Sequence, residues 1–304
     1  MDRYGRPLTH MRITVTLRCN YKCIFCHREG ELSSPDKLSV EDILTVAKAA
    51  YSLGIKYFKL TGGEPLIRKD ILDIVEGLSK LPDVEVSMVT NGYYLYEYAD
   101  KLRVAGLSRL NVSLHSINSV TYEKITGVNG LSKVIRGIDE ALKNGLKLKL
   151  NVLALKGLNE QEIVKILDFA SQRKVDVNLI ELIPIGISPE DYSKLYLNLS
   201  YIERYLRKIS IESYKRRFQN RPVYVMPSGI RVELIRSLGN REFCANCMRI
   251  RLTHDGKLKP CLMRNDNLLD ISKILDRRAE ESWKIEKIKQ AIIKANESRE
   301  PYFK

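Results

Sequence analysis

The chain has 304 residues, 44% hydrophobic and 29% charged, a balance that excludes an intrinsically disordered protein and fits one large domain or two unequal ones. Residues 1–7 lack the apolar core of a signal peptide, and no apolar run is long enough to span a bilayer, so a cytoplasmic protein is expected. The formal net charge of +14 favours an anionic partner, although a heat-adapted composition, rich in Lys, Arg, Ile and Tyr with four Gln, accounts for part of it.

Taken in chain order, residues 11–17 read as a strand and 39–53 as a helix opened by Ser39 and Asp42. A strand at 56–60, a helix at 68–79, a strand at 84–89 and a helix at 93–105 follow. Next come a strand at 109–114, a helix at 131–143 stopped by Asn144-Gly145, a strand at 147–153, a helix at 159–172 and a strand at 175–182. Six such βα units imply a parallel sheet with helices outside it, two units short of a closed eightfold barrel. After Arg207 the pattern changes: 222–226 and 230–235 read as short strands, 249–253 and 257–259 as a hairpin about His254-Asp255-Gly256, and 280–295 as a helix. The expected fold is α/β, an incomplete (β/α)6 TIM-type barrel over residues 1–210 with a smaller C-terminal extension over 211–304.

Parallel strands are buried on both faces and should be nearly apolar, yet several here alternate. Arg12, Thr14 and Thr16 oppose Ile13, Val15 and Leu17; Lys59 and Thr61 oppose Phe58 and Leu60. Asn111 and Ser113 oppose Val112 and Leu114, and Lys149 and Asn151 oppose Leu150 and Val152. If the apolar faces meet the helices, the polar faces line the interior, and Arg12, Lys59 and Lys149 become inward cations for an anionic ligand.

Active sites of such barrels form at the C-terminal ends of the strands. Cys19, Cys23 and Cys26 follow the first strand, Gly62-Gly63-Glu64-Pro65 the second, Thr90-Asn91-Gly92 the third and His115-Ser116 the fourth. In a reducing cytosol, clustered cysteines point to metal rather than disulfides. Three close thiolates are the donors of iron-sulfur clusters, and they leave one iron of a four-iron cluster open. Zinc held by adjacent Cys26 and His27 fits a tetrahedron poorly. Cys244, Cys247 and Cys261 form a second triplet.

C-x-x-x-C-x-x-C after the first strand with Gly-Gly-Glu-Pro after the second resembles the radical S-adenosylmethionine superfamily. The resemblance implies a [4Fe-4S] cluster whose open iron binds the methionine moiety, and a 5'-deoxyadenosyl radical. Cys244-Ala245-Asn246-Cys247-Met248-Arg249-Ile250-Arg251 with Cys261 is further similar to the GTP 3',8-cyclases of molybdenum cofactor biosynthesis. That similarity implies a second [4Fe-4S] cluster facing the guanine, GTP contacts at Arg12, Lys59, Thr90, Lys149, Arg249 and Arg251, and Arg249 and Arg251 as the catalytic pair. S-adenosylmethionine contacts are implied at Phe25, where many relatives have Tyr, at Gly63 and Ser113, and at Ile183, where many have Met.

The resemblance also implies abstraction of the ribose 3' hydrogen, closure of C3' on guanine C8, an electron donor and a downstream cyclic pyranopterin monophosphate synthase. A homodimer is a further expectation; nucleic-acid and membrane partners are not expected. Relatives commonly end in Gly-Gly, whereas this chain ends Arg299-Glu300-Pro301-Tyr302-Phe303-Lys304, so the tail's role is met otherwise, turnover differs or the chain is incomplete. Two alternative readings fit the sequence less well. A two-cluster peptide maturase usually carries more C-terminal cysteines. A basic zinc and nucleic-acid-binding protein leaves the polar strand faces unexplained.

Overall fold

Alternation between apolar and polar residues governs how the sheet is dressed on its two sides. The computed structural model describes residues 1–32, 34–275 and 278–302. Strands β1 (His10–Thr16), β2 (Tyr57–Gly62), β3 (Glu85–Thr90), β4 (Arg109–Ser113), β5 (Leu148–Ala154) and β6 (Asp176–Glu181) alternate with helices α1 (Val40–Ser52), α2 (Ile71–Ser79), α3 (Leu95–Val104), α4 (Ser119–Thr126), α5 (Leu131–Lys143) and α6 (Ile163–Gln172). Then follow α7 (Pro189–Leu195), α8 (Ser200–Ile209), β7 (Glu212–Arg216), β8 (Arg221–Val225), β9 (Arg231–Ile235), α9 (Arg241–Ala245), β10 (Arg249–Leu252), β11 (Lys257–Lys259), β12 (Leu269–Asp270) and α10 (Glu281–Glu297).

Met11, Ile13, Val15, Phe58, Leu60, Val112, Leu150 and Val152 are buried in one core, each on the strand face opposite the polar set. Burying such a side chain contributes about 1.5–3 kcal/mol, which fixes the register, because a one-residue slip would turn the charges into that core. The capping box between Ser39 and Asp42 opens α1 as expected. The sequence reading passed over α4, although Asn118 accepts from the amides of Val120 and Thr121 at its start and Gly127 (φ 73°) ends it.

The C-terminal residues do not form a separate sheet. β10 pairs in parallel with β1, and β9 in parallel with β6, so the six parallel strands gain one on each side. The order β10-β1-β2-β3-β4-β5-β6-β9 has the eight strands of a TIM-type barrel, but β9 continues to β8 and β10 to β11, and no β9–β10 pairing occurs among the described residues. The barrel is therefore incomplete, and the second cysteine triplet lies about its β10 flank, with Cys244 in α9, Cys247 just before β10 and Cys261 just after β11. No helix among the described residues is long and apolar enough to cross a membrane.

Candidate active site

Two glycines set the mouth of the barrel. A Cβ on Gly62, whose φ is +152°, would lie 2.1 Å from the Thr16 carbonyl oxygen, and one on Gly63 would lie 2.1 Å from that of Arg18. Only bare backbone lets the end of β2 lie against the chain entering Cys19. Glu64 then knits the neighbouring segments: its carboxylate accepts from the Leu66 amide at 3.0 Å, the Thr90 hydroxyl at 2.7 Å and the Asn91 amide at 2.6 Å. Burial pushes Glu64 up to about 7 against those donors.

None of the six cysteines is in a disulfide, and all six line one cavity of about 390 Å³. Phe25, Gly63, Ser113, Ile183, Arg12, Lys59, Thr90, Arg249 and Arg251 line it too. Lys149 does not: its ammonium donates to Glu233 at 2.9 Å, behind the wall. The first triplet is anchored on α4 by the Lys22 amide to Thr126 O (3.0 Å) and the Ile24 amide to Ile125 O (3.1 Å). The Tyr21 amide and Asn91 Nδ2 donate to Cys19 Sγ at 3.4 and 3.9 Å. Burial and the other two cysteines push Cys23 up to about 12, so a thiolate there calls for a compensating positive charge such as iron.

The second triplet is clamped from both ends of the chain. Arg6 Nη1 donates to the Cys244 carbonyl at 3.1 Å, and Arg299 donates to that of Cys247. Asp2 joins the two arginines, at 2.6 Å to Arg6 and 3.4 Å to Arg299. Gln219 Nε2 donates to Cys247 Sγ at 3.6 Å. Burial raises the Cys247 thiol, but Arg299 and Arg249 outweigh it and the net shift is downward. Arg299, Glu300 and Tyr302 line the cavity.

The donor set fits iron-sulfur clusters. Two sets of three thiols line the cavity, and amide N–H groups from Asn91 and Gln219 are directed at a sulfur of each set, as such clusters use. Among the described residues no three His, Cys, Asp or Glu side chains are gathered closely enough to hold a single ion. His27, weighed as a zinc ligand, instead accepts the Glu29 amide on Nδ1 at 3.0 Å.

Two buried carboxylates balance part of the charge of the inward cations, so an anionic ligand is not their only counter-charge. Glu29 meets Arg12 and Arg251, each at 2.7 Å, and accepts from the Thr61 hydroxyl at 2.8 Å. Glu233 meets Lys149 at 2.9 Å, Arg221 at 3.2 Å and Arg216 at 3.3 Å. Lys149, Arg221 and Arg216 hold Glu233 down at about 2 despite its burial, and Arg12 and Arg251 hold Glu29 well below the usual carboxylate range despite its burial.

Neither Lys59 nor Arg249 makes an ion pair among the described residues. Lys59 donates to Asn111 Oδ1 at 2.7 Å, and Arg249 lies over the Phe218 ring at 5.0 Å. Burial, then neighbouring cations, push both well below their ordinary values. Arg6 Nη2, Arg12 Nε and Arg221 Nε are buried donors with no partner among the described residues. Two charge-unbalanced cations and three spare guanidinium N–H groups on residues lining one cavity suit a polyanion.

The fold and the two open thiolate triplets define a radical S-adenosylmethionine enzyme. Residues 13–170 match the Radical SAM superfamily, and residues 175–304 match Molybdenum Cofactor Synthesis C. Streptococcus suis SuiB bound to S-adenosylmethionine superposes with a TM-score of 0.66 at 17% identity, over 92% of this chain and 67% of that one. Native anSMEcpe with bound AdoMet gives 0.60 at 17%, over 93% and 82%. Full-length relatives are closer in sequence. A probable GTP 3',8-cyclase of Saccharolobus islandicus is 47% identical over 306 residues, and one of Thermococcus kodakarensis is 42% identical over 309, each over 100% of this chain and 99% of the relative. The chain belongs to the GTP 3',8-cyclase family, and with that membership come S-adenosylmethionine and [4Fe-4S] cofactors.

Proposed function

We propose that this chain converts GTP to (8S)-3',8-cyclo-7,8-dihydroguanosine 5'-triphosphate, the first step of molybdenum cofactor biosynthesis. The observation that carries the reading is one cationic cavity lined by both cysteine triplets. Cys19, Cys23 and Cys26 hold the first cluster, with S-adenosylmethionine among Phe25, Gly63, Ser113 and Ile183; Cys244, Cys247 and Cys261 hold the second. When bound, the first cluster and S-adenosylmethionine supply the 5'-deoxyadenosyl radical that removes the ribose 3' hydrogen.

The protein's own part is orientation. Closing C3' on C8 requires the two atoms to be held within reach, and a polyanion gripped at one end restrains the rest. Arg12, Lys59, Arg249 and Arg251 grip the triphosphate. Arg249 and Arg251 stand two apart on β10 and share its face. Thr90 already donates its hydroxyl hydrogen to Glu64, so it receives a substrate hydrogen rather than giving one. Lys149 serves from behind the wall, through Glu233 and the cavity-lining Arg221.

Residues 1–210 carry the first cluster and 211–304 the second, as two functional parts of one sheet. An electron donor, a cyclic pyranopterin monophosphate synthase downstream, a homodimer and a cytoplasmic location complete the proposal. The test is incubation of anaerobically reconstituted protein with GTP, S-adenosylmethionine and a reductant. Formation of 5'-deoxyadenosine and a cyclised nucleotide is expected. Deoxyadenosine with GTP untouched would overturn the substrate and favour a peptide maturase.

A further inference from the structure

Four side chains cross the cavity wall in a row: Lys59 on β2, Asn111 on β4, Asn151 on β5 and Asn178 on β6. Lys59 donates to Asn111 Oδ1 at 2.7 Å; Asn111 Nδ2 donates to Asn151 Oδ1 at 3.1 Å; Asn178 Nδ2 donates to the same oxygen at 2.8 Å. The orientation of every carboxamide follows from the lysine. An ammonium can only donate, so the Asn111 atom facing it is the oxygen. Asn111 must then turn its nitrogen to Asn151, which makes the Asn151 atom there an oxygen. Asn178 must likewise meet that oxygen with its nitrogen, because reversing it would set two acceptors against each other.

What is left at the end of the row is therefore an acceptor. Asn178 Oδ1 is buried, on a residue 6% exposed that lines the cavity, and it has no hydrogen-bond partner among the described residues. A buried acceptor of this kind is costly until a donor meets it. Phosphate oxygens have no hydrogen to give it. The neutral donors of a purine nucleotide are its ribose hydroxyls and, on guanine, the ring and exocyclic N–H groups.

We propose that Asn178 Oδ1 accepts a ribose hydroxyl of the nucleotide substrate and so fixes the sugar at which hydrogen is abstracted. The proposal rests on GTP as the substrate. Lys59 marks the phosphate end of the row, and the sugar is the first donor beyond the phosphates. Another ribose is available, that of S-adenosylmethionine. Its expected contacts Gly63 and Ile183 lie beyond the ends of β2 and β6, whereas Asn178 lies three residues inside the end of β6; Ser113 is in register with Asn178 through Asn151, so S-adenosylmethionine binding is measured separately to tell the two riboses apart.

The experiment is equilibrium binding to the cluster-loaded protein without reductant, so that no turnover occurs. The probes are GTP, 2'-deoxyGTP, 3'-deoxyGTP, ITP and S-adenosylmethionine. The wild type should bind GTP about tenfold tighter than one of the two deoxy analogues. Asn178→Ala should weaken GTP to the level of that analogue, leave the analogue's own affinity unchanged and leave S-adenosylmethionine binding intact. Asn178→Ser, which keeps a small acceptor, should restore part of the preference.

Equal wild-type affinity for GTP and both deoxy analogues overturns the proposal, whatever the variants do. So does an Asn178→Ala protein that keeps the GTP preference, or one that loses S-adenosylmethionine instead. Discrimination against ITP alone assigns the acceptor to the guanine amine and overturns the ribose contact. A wild type that binds deoxy analogues and GTP not at all removes the substrate reading itself, and the proposal with it.

Discussion

The Glu29 carboxylate meets the Arg251 guanidinium at 2.7 Å across 222 positions of sequence, both side chains buried. Its other oxygen meets Arg12 at 2.7 Å, so one anion ties the loop after the first cysteine triplet to the strand that separates members of the second. Removing one partner of a buried ion pair strands the others.

Glu29→Gln should therefore lower stability by about 3 kcal/mol without nucleotide. Phosphates of GTP can stand in for the missing charge, so GTP should raise the melting temperature of the variant more than that of the wild type. Thermal unfolding with and without GTP measures both. Identical melting of the two proteins without nucleotide would show that the contact matters little.

Arg249 makes no ion pair among the described residues, and Arg251 shares its strand face. Arg249→Ala and Arg251→Ala should each reduce cyclisation at least tenfold, the scale of losing a charge-assisted contact to substrate. Iron and sulfide content should stay at the wild-type level. Wild-type cyclisation rates in both variants would remove their assigned role.

The two triplets predict separable losses. Cys261→Ser should reduce bound iron from about eight to about four per chain after anaerobic reconstitution, while S-adenosylmethionine is still cleaved to 5'-deoxyadenosine. Cys23→Ser should also halve the iron, but abolish cleavage. Iron analysis and product chromatography distinguish the two, and equal iron in wild type and Cys261→Ser would refute the second site.

His254 predicts a pH dependence of stability away from the clusters. Burial lowers its pKa, but the Glu31 carboxylate at 2.7 Å outweighs burial and raises the pKa above 6.5. A group raised on folding stabilises fully below its unfolded value and loses that contribution as pH climbs through its folded value. Unfolding free energy should thus fall as pH climbs above the ordinary histidine value of 6.5, and His254→Gln should flatten that slope. An unchanged slope in the variant would assign the pH dependence to other groups.

Strand order and inward faces were legible because a period of two is local. Arg12, Lys59, Asn111 and Asn151 all fall on the polar side that alternation gave them. The same alternation places Glu233 beside Arg231 and Ile235, opposite Val232 and Leu234, but a strand that short was not resolved into faces. Glu29 left no periodic trace. It occupies a turn at φ 53° between Arg28 and Gly30, and its partners come from β1, β2 and β10. The flanking of β1 by β10 was equally hidden, since parallel pairing of Arg12 with Arg251 is invisible to any window of local sequence.

That pairing also imposes a timetable. The open flank of β1 is covered only when residues 239 positions later have been made, a wait of roughly 10–50 s at usual elongation rates. Until then the outer edge of β1 offers bare backbone to any passing extended chain, whereas that of β6 waits only for β9, 55 positions on. The wall that carries the second triplet arrives last, so a nascent chain can present the first three thiols well before the chamber they share exists.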